Sequence, residues 1–231
     1  MNKPKVLIIW NDTIHHQGSI KSKFWEEKLL ADGFDVERAN TAYPLCDPEK
    51  LRTYSLIVIS WSEDQIIREQ ALNLIHAVGF DGVGLAGYHE TSTAFRQYDW
   101  HFLLGSFMAT HPSRRADGSK HDHMIHICKP DDPIMEGVRD FKHYSEQFYL
   151  LHDGDNMNEV LAETVMASSD YPWVEGLRSP VIYKRRFGTG KVFYSALGHF
   201  FEEFEKEEVF NITRRGMLWA CRDLPDGLTA V

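Results

Sequence analysis

Short apolar runs alternate with stretches of helical periodicity through the first hundred residues. Residues 5–10 (Lys-Val-Leu-Ile-Ile-Trp) and 56–61 (Leu-Ile-Val-Ile-Ser-Trp) are almost wholly apolar, the pattern of inner parallel strands covered on both faces. Between them, Ile20, Phe24, Trp25, Leu29 and Leu30 recur at helical spacing, and Gly33 stops the helix. Residues 34–39 alternate as a second, less buried strand, and 40–48 form a turn-rich loop. After the third strand, Ser62 and Gln65 make a capping box for a helix whose buried stripe is Ile67, Ala71, Leu74, Ile75 and Val78, ended by Gly79. A Gly-rich apolar run at 80–87 then breaks off at Tyr88-His89-Glu90-Thr91. Gly84 and Gly87 offer close backbone approach and the positive φ of a sharp strand-to-helix turn. The order strand-helix-strand-helix-strand predicts a parallel sheet with right-handed crossovers.

The second half is less regular. Residues 93–104 predict a helix carrying Phe95, Trp100, Leu103 and Leu104 and ending at Gly105. His111 precedes Pro112, which pushes it toward extended geometry, and a polar loop follows at 113–118. Residues 123–128 alternate as a strand, 131–138 form a turn, and 141–151 fit either a strand or a short helix. Strands are predicted at 158–164 and 180–187, separated by a loop with Tyr171, Trp173 and Gly176. Gly188-Thr189-Gly190 is a hairpin turn into 191–199, an apolar strand ending in Gly198-His199. The closing helix, 207–221, offers Val209, Phe210, Ile212, Met217, Leu218 and Trp219 for packing. Without a repeat, a low-complexity tract or a linker, the chain reads as one domain over residues 1–231.

Composition narrows the function classes. Of 231 residues 43% are hydrophobic and 26% charged, as in globular proteins of this size. The formal charge of −9 argues against nucleic-acid or anionic-membrane surfaces. Cys46, Cys128 and Cys221 are widely spaced, so a disulfide framework is not expected and a cytoplasmic setting is. No run approaches the ~20 apolar residues of a membrane span.

The chemistry sits at strand ends, where open α/β sheets bind ligands. Gly87-Tyr88-His89-Glu90-Thr91 has the outline of a nucleophile elbow with His89 in the nucleophile's place. The Gly188-Thr189-Gly190 turn joins two strands rather than opening a helix, which removes a phosphate-loop reading.

Several stretches together, in order along most of the chain, resemble the ThuA-like (trehalose utilisation) proteins. They are Gly87-Tyr88-His89, Leu104-Gly105-Ser106-Phe107 with His111-Pro112, Asp132-Pro133-Ile134 with Gly137-Val138, Glu146-Gln147-Phe148-Tyr149, and 188–199. The resemblance implies an α/β, three-layer flavodoxin-like sandwich with a mostly parallel central sheet, the class I glutamine amidotransferase-like fold. It also implies carbohydrate utilisation. Amidotransferase relatives carry a Cys at the elbow, where this chain has His89. A thiolate acyl-enzyme needs that sulfur, so glutaminase activity is not expected.

On this resemblance His15 or His16, His89, His111 and His199 converge from separate loops. His89, His199 and Glu146 are the candidate catalytic groups, suited to proton transfer beside a carbonyl or at a glycosidic oxygen. His15, His16, His111, Tyr88, Trp61 and Trp100 are candidates for binding a small-molecule carbohydrate. His101, His121, His123, His126, His143 and His152 are read as structural or solvent-facing, and Trp25 and Trp219 as core. No cofactor is expected, with zinc as the rival: three His and a carboxylate can hold it, although HExxH spacing is absent. A non-catalytic sugar-binding or regulatory module and a zinc-dependent hydrolase are the alternatives to a sugar-modifying enzyme. Exposed aromatics hint at self-association into a homo-oligomer.

Overall fold

The computed structural model describes residues 3–112, 120–152, 157–167 and 171–229; the polar loop read at 113–118 falls outside them. Strands β1 (Lys5–Trp10), β2 (Asp35–Ala39), β3 (Leu56–Ser60) and β4 (Gly84–Tyr88) are joined by α1 (Gly18–Ala31), the single turn α2 (Pro48–Leu51) and α3 (Arg68–Gly79). Helix α4 (Tyr98–Leu104) leads to β5 (Ser106–Thr110), β6 (Lys120–Ile127), β7 (Phe141–Glu146), β8 (Tyr149–His152), β9 (Glu159–Val165), β10 (Arg178–Phe187), β11 (Gly190–Ser195) and α5 (Glu207–Ala220). The main sheet has nine strands in the order β2-β1-β3-β4-β11-β10-β9-β6-β7, and β5 pairs with β8 apart from it. β2, β1, β3, β4 and β11 are parallel neighbours, while β10, β9, β6 and β7 extend the sheet antiparallel.

The parallel strands are apolar because both their faces are covered. Trp25 of α1 stacks on Phe210 of α5 at 5.7 Å, so these helices share one face, and α3 packs with α4 on the other. The result is the three-layer α/β sandwich expected. The ambiguous stretch at 141–151 resolves as two strands, β7 and β8. The helix expected at 93–104 begins only at Tyr98, because residues His89–Thr93 form a separate 3₁₀ turn. Ser62 and Gln65 do not cap α3: its start is set by Gln70, whose side chain accepts the Ile67 N–H (3.1 Å).

The helix α1 buries Trp25 and Leu29 of the predicted stripe, but its buried face is turned toward Lys21 and Ser22. Ile20 and Leu30 are exposed, while Lys21 is fully buried. The ammonium of Lys21 donates to Glu90 Oε2 (2.7 Å) and to the carbonyls of Gly198 and His199 (3.0 Å each). Glu90 Oε1 accepts the Ser60 hydroxyl (3.0 Å). All three ammonium protons are thereby used, and one ion pair joins α1, the end of β3, the turn after β4 and the loop after β11. Gly198, at φ +95, must be glycine, since a Cβ would lie 2.4 Å from the Phe204 ring.

A second buried carboxylate ties the outer antiparallel strand to the same loop. Glu203 accepts from His143 Nε2 (2.9 Å), Ser145 Oγ (2.8 Å) and the Gly198 N–H (2.9 Å). Burial raises its pKa, but the His143 hydrogen bond and charge, with the Gly198 N–H and the Ser145 hydroxyl, outweigh that and hold it at about 2.

Two predictions follow from these carboxylates. Removing one partner of the Lys21–Glu90 pair strands a buried charge, so Lys21→Met should lower unfolding stability by about 3–5 kcal/mol. The double change Lys21→Met/Glu90→Gln should recover part of that loss in chemical denaturation. For Glu203 the folded pKa lies below the ordinary 4.5. Its contribution, up to about 3 kcal/mol, is therefore present above pH ~4.5 and is lost as pH falls toward 2. Wild type and Glu203→Gln should differ most at neutral pH and converge in denaturation midpoint toward pH 2–3.

Candidate active site

The site forms at the carboxyl ends of the parallel strands, as the doubly wound layout dictates. His15 and His16 follow β1, His89 follows β4, and His199 follows β11; Glu146 ends β7 and His111 follows β5. At the elbow, Gly87 is required for space, since a Cβ would meet the Thr91 side chain at 2.3 Å. The Thr91 hydroxyl sits against the Ile59 and Tyr88 carbonyls and accepts the Tyr88 N–H (3.0 Å). Neither Gly84 nor Gly87 takes the positive φ anticipated for the turn; His89 does, at +33. Tyr194 holds it there by donating to the His89 carbonyl (2.8 Å).

The positive φ of His89 has company around the hollow. Glu63 (+58), Asp64 (+61), Phe95 (+64) and Arg96 (+33) are the other described non-glycine residues in that region. The two loops are bound back to back by Phe95 N–H to the Glu63 carbonyl (3.0 Å). Left-handed backbone without glycine costs of order 1–3 kcal/mol per residue.

The rings of His89 and His199 stack at 4.3 Å, and His16 lies 5.4 Å from the first and 5.1 Å from the second. Glu146 Oε2 stands among them, 3.1 Å from His199 Nδ1, 3.7 Å from His89 Nε2 and 3.5 Å from His111 Nε2. The opposite nitrogens are anchored on backbone acceptors. His89 Nδ1–H donates to the Ala196 carbonyl (3.0 Å) and His199 Nε2–H to the His15 carbonyl (3.0 Å). A carbonyl only accepts, so each bond fixes the proton on that nitrogen. His16 Nδ1 lies 3.2 Å from the Thr13 hydroxyl. Burial, with the further Coulombic cost of a second positive charge beside His199, His16 and Lys21, pushes His89 well below the ordinary imidazole pKa. Burial likewise takes His16 down to about 3, with Lys21 and His199 adding to it. Both rings are neutral at pH 7.

The cluster floors a hollow of about 820 Å³, within the range of small-molecule sites. His15, His16, His89, His111, His199 and Glu146 all line it. The other expected binding residues do not. Tyr88 is the last residue of β4, and alternation along the strand turns its ring away against Phe204 (5.2 Å). Trp61 packs on Phe95 at 5.7 Å and Trp100 on the same ring at 5.2 Å, both in the core. Apolar faces come instead from Phe107, Phe148 and Tyr98, with Phe148 4.3 Å from His89 and 4.9 Å from His111. Phe148 was within sight, two residues after Glu146. Glu90, Arg96 and His101 also line the hollow, and no spacing in the chain marked them.

This arrangement supports two kinds of chemistry: proton transfer by a carboxylate among imidazoles, or the holding of a cation by His16, His89 and His199, whose ring nitrogens lie within 4.8 Å of one another. It does not support a cysteine nucleophile, because the thiols of Cys46, Cys128 and Cys221 are outside the hollow.

Comparison with known proteins agrees with the fold. Solved structures similar to this one include ThuA-like proteins from Bacteroides uniformis (TM-score 0.73, 16% identity, 96% of this chain and 94% of that one) and Parabacteroides merdae (0.69, 16%, 99% and 93%). The glutaminase domain of Trypanosoma brucei CTPS is similar at TM-score 0.51 and 8% identity, over 98% of each chain. At these identities the likeness is one of fold. No curated protein matches the sequence. None of the described helices is long and apolar enough to cross a membrane. The family model for ThuA, trehalose utilisation, matches residues 5–220, and the chain belongs to that family.

Proposed function

We propose that this chain acts on an oxidised disaccharide or keto-sugar, moving a proton at the carbon beside the sugar's carbonyl. The observation that carries the reading is the Glu146 carboxylate, within 3.1–3.7 Å of three imidazoles at the floor of the hollow. A proton beside a carbonyl is acidic enough for a positioned carboxylate to remove, and the negative charge then developing on the carbonyl oxygen needs a donor close by. Glu146 serves as the base; His111, at its rim and partly exposed, is placed to donate. His89 and His199 lie beneath the carboxylate and form the rest of the proton-transfer set. Tyr98, Phe107 and Phe148 give flat faces for the C–H side of a sugar ring, while Gln97, Glu63 and His15 meet its hydroxyls. Membership in a family of trehalose utilisation favours this class of ligand.

The test uses trehalose and its keto derivative with protein in heavy water. Wild type should incorporate deuterium beside the carbonyl, read by NMR. Glu146→Gln should slow that exchange about 10²–10⁴-fold while calorimetry shows the sugar still bound. Exchange by Glu146→Gln at the wild-type rate would overturn the assignment of the base. Binding with no exchange in the wild type would make the chain a sugar-binding module instead.

A further inference from the structure

The three buried or half-buried imidazoles at the floor of the hollow present a problem that proton transfer alone does not solve. His89 Nδ1 and His199 Nε2 are committed to the carbonyls of Ala196 and His15, so the nitrogens facing inward, His89 Nε2 and His199 Nδ1, carry lone pairs. Both are buried and neither has a hydrogen-bond partner. An unsatisfied buried polar atom costs about 1–3 kcal/mol, and two stacked acceptors cannot satisfy each other. The nearest carboxylate, Glu146, is an acceptor as well. His16 adds a third ring nitrogen within 4.8 Å of the other two, its Nδ1 beside the Thr13 hydroxyl.

The geometry points to a divalent transition-metal site formed by His16, His89 and His199, with Glu146 at its open side. Inward-facing imidazoles whose outer nitrogens bond to carbonyl or hydroxyl oxygens are the second shell that metal-binding histidines require. In a tetrahedral site with bonds of about 2.1 Å, neighbouring donors sit ~3.4 Å apart. Glu146 Oε2, at 3.1 Å from His199 Nδ1 and 3.7 Å from His89 Nε2, falls at that spacing. Three imidazole nitrogens select zinc or a neighbouring first-row ion over calcium or magnesium. The close ammonium, Lys21, is neutralised by Glu90 and does not repel a cation outright. The three ligands arrive from the ends of β1, β4 and β11, so no short sequence spacing announces them. The inference deepens the proposed reading of this hollow: the imidazoles hold the ion, and Glu146 remains the group that moves the proton.

The experiment is calorimetric titration of zinc chloride into untagged, chelator-stripped full-length protein, repeated with cobalt for its visible spectrum. Wild type should bind one equivalent in the micromolar range or tighter, with the intense visible bands of tetrahedral cobalt. His16→Ala should weaken binding by at least ~100-fold, and Thr13→Ala by ~10-fold, as expected when an outer-shell partner is lost. His126→Gln, on the exposed side of β6, should bind as wild type does. Because His89 is buried at a strained turn, His199→Gln serves as the second ligand variant, with circular dichroism confirming its fold. No saturable zinc binding by wild type, or binding by folded His16→Ala and His199→Gln as tight as wild type, overturns the site. Metal binding without sugar chemistry would leave this inference standing and sink the proposed function. Deuterium exchange that is lost in Glu146→Gln yet persists in chelator would do the reverse.

Discussion

The interaction on which the rest of the structure depends is the buried ion pair of Lys21 and Glu90. It costs desolvation on both sides, and such pairs are poor sources of stability when weighed against apolar packing. What it supplies here is register. The ammonium reaches Glu90 in the turn after β4 and two carbonyls in the loop after β11, so one side chain sets the spacing of the two segments that carry His89 and His199. The stacked rings at 4.3 Å are the downstream result. A hydrophobic residue at position 21 would pack the helix but leave those loops to find their own distance.

The site also shows how a fold similar to that of a glutaminase domain can present a different side chain at its elbow. The elbow places its residue at the floor of a hollow, under a strained φ and against a fixed carbonyl. With a thiol there, the position would favour a nucleophile. With an imidazole pinned through Nδ1, it presents a neutral lone pair instead, and the neighbouring strand end supplies a second one. The backbone geometry of the fold stays the same while the atom presented to the hollow changes.

Much of the frame was legible in the chain. Apolar runs at 5–10 and 56–61, the Gly-rich run before His89 and the hairpin at 188–190 all became the strands and turn they suggested, because strands covered on both faces leave little choice of residue. His89 and His199 were legible for a related reason: both close such a strand. The helical stripes misled where a polar group had a distant partner. In α1 the reading favoured Ile20, yet Lys21 is the buried residue, and its partner lies 69 positions away. No periodicity encodes a contact of that range. The tryptophans misled differently, since Trp61 and Trp100 looked suited to a sugar and instead fill the core around Phe95. Position 88 is a case of parity, one residue from His89 and therefore on the opposite face.

The backbone at Glu63, Asp64 and Arg96 has an evolutionary corollary. Glycine or asparagine at these rim positions would relieve local strain and raise thermal tolerance. The same relief would let the two loops drift from the positions that shape the mouth of the hollow. Robustness and the shape of the hollow thus pull these few residues in opposite directions, and a search for heat-resistant variants would tend to harvest molecules whose hollow has a less defined mouth.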